Sequence, residues 1–277
     1  MKRSPWLGAA LAVLLVGCGN SGAEPTTPAA APAGNTVTAA QLTVEVIERY
    51  PHDTDAFTQG LEVRDGVLYE STGLYGQSDV RTVDQETGEV IHSVPLPATM
   101  FGEGLTLVDD KIWQITWQEQ TAFLRDAATL EEIDQFSYTG EGWGICYDRA
   151  ADRLVMSDGT DRLTFRDPAT FEETGSVTVT RDGQPQRMIN ELECLGDTVW
   201  ANVWQTDEII AIDPATGVVE SVVNAAGLLT PEERSQADVL NGIAAVPSLV
   251  TQQGDGQQFL ITGKLWPWLF LVRFVPA

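Results

Sequence analysis

Basic residues are scarce in this chain. Its 277 residues include 16 Lys and Arg against 40 Asp and Glu, a formal net charge of −24. No basic cluster follows Lys2 and Arg3. Nucleic acid and anionic lipid surfaces, which need a basic stripe, are thereby excluded as partners. The acidity reads as a solvated, soluble surface. Histidine is scarcer still: only His52 and His92 occur, with no His-Glu-x-x-His pair, so a catalytic zinc site is not supported. Long apolar runs are missing too. Leu7 to Val16 is about ten residues, too short to span a bilayer. Cysteine is limited to Cys18, Cys146 and Cys194.

What is present begins with an export signal. Lys2 and Arg3 form a positive start, the apolar segment follows, and Leu15-Val16-Gly17-Cys18 ends it. This stretch resembles the lipobox of bacterial lipoprotein precursors, with residues 1–17 removed and Cys18 lipidated. Residues 18–41, rich in Ala, Pro, Thr and Gly, bury too little surface to fold and read as a flexible tether. The folded domain is expected over 42–277. The chain is thus expected outside the cytoplasm, lipid-anchored at the bacterial cell envelope, facing the periplasm or the surface. It meets the membrane only through that anchor. Export makes a disulfide between Cys146 and Cys194 chemically accessible, and two small buried residues is the other reading.

A repeat organises the rest. Five units begin near "FTQGLEV" (57), "FGEGLTL" (101), "EGWGICY" (141), "INELECL" (189) and "LNGIAAV" (240). Each continues through a turn signal into a second strand-like run. Several then pass an Asp-led turn such as "VDQETGEV", "RDAATLEEI", "RDPATFEET" or "IDPATGVV". Units of roughly 40–50 residues with four short strands are the signature of a β-propeller. The expected fold is all-β, a five-bladed β-propeller with a short connecting helix near 230–240. Thr230, Pro231 and Glu233 supply that helix with a capping box. A β-sandwich with coincidental spacing is the alternative.

Superposing the units places Gln59, Glu103, Trp143, Asn190 and Asn241 at one position, next to the channel. A second ring, roughly 14 residues on, holds Gly73, Trp117, Asp158, Trp204 and Lys264. The mouth of such a channel gathers one acid, one lysine, amides and indoles, the usual make-up of a small-ligand pocket. Burial beside indoles raises the pKa of Glu103 and Lys264 lowers it, so the net direction is open at this point.

The motifs "YPHDTDAFTQGL", "FGEGL", "EGWG", "INELE", "VWANVW", "DVLNGIA" and "ITGKLWP", in this order from about Val44 to Phe274, resemble the plant and bacterial type of glutaminyl-peptide cyclotransferase. That family is a five-bladed propeller, unrelated to the zinc-dependent animal enzymes of the same activity. It converts N-terminal glutamine of peptides to pyroglutamate and releases ammonia. The resemblance puts the catalytic glutamate on Glu103. It puts pocket roles on Phe57, Gln59, Phe101, Trp117, Trp143, Asn190, Trp204 and Lys264. The insertion before Phe259 and the acidic surface are where peptide preference would differ.

The resulting expectation is a monomeric transferase acting on peptides or proteins with N-terminal glutamine. It needs no cofactor for catalysis, though the hard oxygen ligands leave room for a structural calcium in the channel. His52 with Asp53 and Asp55 has the donors for a cation, and an exposed polar loop is the preferred reading. Trp6 and Trp200 read as outside the site. The competing class is a non-enzymatic propeller lipoprotein that binds peptides or scaffolds envelope assembly. A quinone- or sugar-dependent dehydrogenase propeller would need cofactor and metal motifs that are missing.

Overall fold

A computed structural model describes residues 38–246 and 256–277. The export signal, Trp6, the Cys18 lipidation site and most of the tether lie outside the described residues. The fold is all-β, and nearly all of it is short antiparallel meanders. Strand β1 (Ala40–Pro51) is followed by a four-stranded sheet of β2 (Thr58–Arg64), β3 (Val67–Thr72), β4 (Asp79–Val83) and β5 (Val90–Pro95). The next sheet holds β6 (Gly102–Val108), β7 (Lys111–Thr116), β8 (Thr121–Asp126) and β9 (Glu132–Ser137). A third holds β10 (Ile145–Asp148), β11 (Arg153–Ser157), β12 (Arg162–Arg166) and β13 (Glu173–Thr178). A small ribbon follows, β14 (Thr180–Arg181) with β15 (Gln184–Pro185).

Two more meanders share one sheet. The first is β16 (Ile189–Leu195), β17 (Thr198–Val203), β18 (Glu208–Ile212) and β19 (Val219–Asn224). After a short helix, α1 (Pro231–Arg234), come β20 (Leu240–Ala245), β21 (Gln258–Gly263) and β22 (Trp268–Pro276). The N-terminal strand β1 joins them, antiparallel to β22 and parallel to β19. This pairing of the first strand with the last was not visible in the repeat, which starts at residue 57. Ala39 is buried and β1 begins at Ala40.

The first strands of the meanders touch in turn. β2 meets β6, β6 meets β10, β10 meets β16, β16 meets β20, and β20 returns to β2. The apolar clusters lie between consecutive sheets. Val80 packs with Leu105 and Ile112, Trp113 with Leu154 and Met156, and Leu61 with Leu260 and Leu269. The outer strands β5 and β9 are exposed almost throughout. Burial that falls from inner to outer strand, with cores between sheets, is consistent with a propeller.

Local chemistry accounts for the turns. Asp84, Asp126, Asp167 and Asp213 each take the hydroxyl of the threonine three positions on. Each also accepts backbone N–H groups of its own turn. These are Asx turns, the physical content of the repeated Asp-x-x-Thr. Crowding at the axis explains the glycines. A Cβ on Gly104 would lie 2.8 Å from the Ile145 nitrogen, and one on Gly144 would lie 2.2 Å from the Asn190 carbonyl oxygen. Only glycine lets inner strands approach this closely.

The helix near 230–240 shrinks to Pro231–Arg234. Its capping box forms, but the Asp238 N–H is drawn to the Lys264 carbonyl at 2.8 Å and that stretch runs extended. Cys146 on β10 and Cys194 on β16 form a disulfide, with Cα atoms 5.4 Å apart, which ties two consecutive inner strands. His52 is buried rather than in an exposed loop, held by the Trp266 carbonyl and Glu70. Across the axis, Glu191 accepts from the Leu61 and Ile243 N–H groups at 3.3 and 2.8 Å, which uses both its oxygens on neighbouring inner strands. Among the described residues, no three His, Cys, Asp or Glu side chains gather as a metal-binding group.

Candidate active site

The inner strands break register at their first turn. The shift falls between Thr58 and Gly60 in β2 and between Gly102 and Leu105 in β6. It falls between Ile189 and Leu192 in β16 and between Leu240 and Ile243 in β20. These bulges contain Gln59, Glu103, Asn190 and Asn241, the aligned position of each repeat. A β-bulge adds a residue to one strand and re-aims its side chain. A glycine beside Gln59, Glu103 and Asn241 makes those bulges sterically accessible, whereas Asn190 is followed by Glu191.

A cavity of about 390 Å³ opens at this end of the channel. It brings together every site residue expected from the sequence. Gln59, Glu103, Trp143 and Asn190 come from the inner ring, and Trp117, Trp204 and Lys264 from the second. Phe57 and Phe101 complete the apolar wall. Asn241 does not line the cavity. Its Nδ2 instead donates to the Thr58 carbonyl at 3.0 Å and to Gln59 Oε1 at 3.3 Å. That occupies the carbonyl of Gln59 and leaves its N–H groups as donors for a ligand. Two second-ring members also miss the cavity. Asp158 caps its own loop through Thr160, and Gly73 leaves room for the Phe101 ring.

The walls are made of interlocked rings. Phe101 meets Phe57 edge-on with centroids 6.1 Å apart and Trp117 at 5.8 Å. Trp143 and Trp204 are perpendicular at 5.3 Å. Backbone bonds hold these rings in place, Trp117 N–H to the Phe101 carbonyl and Trp204 N–H to the Met188 carbonyl. Trp200 packs against Phe259 and Phe274 between sheets, away from the cavity, as its sequence position suggested.

Two buried ionisable groups sit within this cage, while the exposed Asp238 lines its edge. Glu103 is 5% exposed, and its carboxyl makes no hydrogen bond to any described residue. Burial raises its pKa well above the ordinary carboxylate range; Lys264 pulls the other way and loses, while Glu119 and Glu141 push up. Lys264 is also buried, with Nζ 4.7 Å from the centre of the Phe57 ring. Burial lowers its pKa against the opposing pull of Glu103 and Asp238. The direction left open by the sequence is therefore set by desolvation at both groups.

Some lining residues were given no site role by the sequence. Gln205 follows Trp204, and Asp238 and Val239 open the "DVLNGIA" motif but were assigned to the helix. Glu141 and Glu119 stand just outside the wall. Glu119 accepts the Phe101 N–H at 3.2 Å and the Tyr75 hydroxyl at 2.9 Å. Glu141 opens the "EGWG" motif, though no role was attached to it, and nothing among the 40 acidic residues marked Glu119.

Fold and site together define an all-β, propeller-like protein. One solvent-excluded carboxyl, one lysine and a cage of indoles line the mouth of its channel. The chain belongs to the glutamine cyclotransferase family, whose model matches residues 16–274. It is 41% identical over 240 residues to a glutaminyl-peptide cyclotransferase of Arabidopsis thaliana, covering 84% of this chain and 72% of that protein. A crystal structure of the Myxococcus xanthus glutaminyl cyclase superposes with a TM-score of 0.75 at 38% identity. That match covers 86% of this chain and 99% of the other.

Proposed function

We propose that this protein is a glutaminyl-peptide cyclotransferase that closes the N-terminal glutamine of peptides or proteins to pyroglutamate and releases ammonia, without a metal or other cofactor. The fold is read as five blades, with the eight-stranded sheet as two blades joined where β1 meets β19. One observation carries the chemistry. Glu103 is a buried, unpaired carboxyl with a raised pKa, inside a cage large enough for one glutamine residue.

The substrate's α-amine attacks the carbon of its own side-chain amide. The new C–N bond closes the ring and the amide oxygen takes negative charge. Glu103, ionised at the start, accepts a proton from the attacking nitrogen. It then returns that proton to the departing amide nitrogen as the C–N bond breaks and ammonia leaves. One carboxyl suffices because the proton is taken and given by the same group. The reaction is intramolecular, so the largest task is to hold glutamine in its folded shape, and the rings of the cage supply that. Gln59 N–H, Asn190 and Lys264 are placed to stabilise the developing oxyanion and the substrate's carbonyl groups.

The chain is read as an exported monomer, anchored by lipid on Cys18. The test is ammonia release from a Gln-initiated dipeptide by the full-length protein, with EDTA present. Activity that survives EDTA, with a pyroglutamyl product, supports the reading. A folded protein that binds Gln-peptides and releases no ammonia is instead a peptide-binding scaffold.

A further inference from the structure

Glu141 lies outside the cavity wall yet gathers three donors. Its Oε2 accepts from Trp117 Nε1 at 2.8 Å and from Trp143 Nε1 at 3.0 Å, and its Oε1 accepts from Gln118 Nε2 at 2.9 Å. Trp117 follows β7 of the second sheet, whereas Trp143 leads into β10 of the third. Trp117 in turn contacts Phe101, and Trp143 contacts Trp204. One carboxylate therefore joins two pairs of rings into a continuous wall, Phe101–Trp117 and Trp143–Trp204, across neighbouring sheets. The backbone reinforces the same junction, since the Gly142 N–H donates to the Trp117 carbonyl at 2.9 Å.

From this geometry we infer that Glu141 is a positioning residue for the substrate pocket: it clamps the indoles of Trp117 and Trp143 in the orientation that binds the glutamine side chain. The inference rests on the cyclotransferase reading of the cavity. An indole N–H has one donor and no acceptor, so an unclamped Trp ring at a half-open mouth is free to turn toward water. A carboxylate oxygen has two lone pairs and serves both rings at once. Glu141 touches no reacting atom in this arrangement. Its effect passes through the two rings, so its loss weakens substrate binding more than the chemical step.

The test compares full-length wild type with Glu141→Ala and Glu141→Gln. A glutamine amide oxygen keeps both acceptor positions for the indoles while removing the charge. In Glu141→Ala the KM for a Gln-initiated dipeptide is expected to rise about tenfold with kcat within about threefold, the pattern of lost binding rather than lost chemistry. Glu141→Gln is expected to stay within about threefold of wild type in both. With ¹⁵N-labelled tryptophan, the Trp117 and Trp143 indole N–H signals are protected in wild type and in Glu141→Gln. They lose protection in Glu141→Ala. That readout needs no turnover, and its wild-type part needs no variant to fold.

Unprotected indole signals in wild type, an unchanged KM in Glu141→Ala, or equal impairment of both variants overturns the clamp. Loss of kcat in Glu141→Gln while Glu103→Gln stays active overturns the underlying assignment of Glu103 as well. Loss of kcat in Glu103→Gln alone leaves that assignment standing while the clamp is judged on KM and on the indole signals.

Discussion

Glu103 and Lys264 line the same cavity, and both are driven toward their neutral forms. Burial raises the carboxyl and lowers the ammonium, although each pulls the other the opposite way. A strong ion pair would show the reverse. Activity should therefore fall on the acid side at a pH above the ordinary carboxylate range, since the base form of Glu103 is lost there first. Lys264→Met removes the positive charge that opposes burial, so the acid limb should move to higher pH. It should also lower kcat by about 10²-fold if Lys264 holds the oxyanion. A pH–rate profile of kcat/KM checks both. A limb at an ordinary carboxylate pH that does not move in Lys264→Met contradicts the assignment.

The buried His52–Glu70 pair governs stability rather than catalysis. The ring donates through both nitrogens, to the Trp266 carbonyl at 2.9 Å and to Glu70 at 3.1 Å, so it is the imidazolium. Burial pulls the His52 pKa down, but Glu70 pushes it up and prevails; for Glu70, burial raises the pKa and His52 lowers it further. A raised histidine stabilises fully below its unfolded pKa and loses that contribution as pH rises through its folded value. A lowered glutamate stabilises fully above its unfolded pKa and loses that contribution as pH falls through its folded value. The pair thus contributes most between roughly pH 4.3 and 6.5. His52→Leu leaves Glu70 with only the Thr58 hydroxyl and the Arg81 charge as partners, and should cost about 1–3 kcal/mol in that window, and less outside it. Urea unfolding across pH reads this directly, and a pH-independent difference contradicts it.

The Cys146–Cys194 bond closes a loop with a sequence separation of 48, for which chain entropy gives roughly 4 kcal/mol. Reduction should lower the unfolding free energy by that order, and the midpoint with it. The cysteines line a different cavity, with Glu62 and Glu193, so turnover per folded molecule should hold. Equal midpoints with and without reductant would show that the bond contributes nothing.

At Gly144 an added methyl would meet the Asn190 carbonyl oxygen, and Asn190 lines the cavity. Gly144→Ala should therefore lose about 1–3 kcal/mol of stability, together with kcat/KM. Gly175→Ala is the control, since its Cβ would find only ordinary contact with Phe165 at 3.6 Å. Thermal unfolding and turnover of both variants separate crowding at the axis from a general intolerance of alanine.

The parts that sequence could show are those the repeat repeats. Asp-x-x-Thr marked the turns because the Asx geometry needs those residues. The glycine marked the inner strands because at Gly60, Gly104 and Gly144 a Cβ would run into neighbouring backbone. Aligning the units then placed Glu103 with Gln59 and Asn190, since one position in each unit faces one channel. Features that occur once stayed hidden. The pairing of β1 with β22 joins chain ends that share no repeat, and the capping box of α1 says where a helix starts but not that Lys264 ends it. Neither His52 burial nor the reach of Glu141 to two indoles follows from spacing, because both depend on which loops meet.

The central claim is that Glu103 carries the proton and the cage binds glutamine. Glu103→Gln keeps the side chain's size and removes its ability to take a proton. In the full-length variant, ammonia release from a Gln-initiated dipeptide should drop by about 10²- to 10⁴-fold, while calorimetric binding of the same dipeptide stays close to wild type. Near-normal turnover in a variant that binds normally would contradict the account.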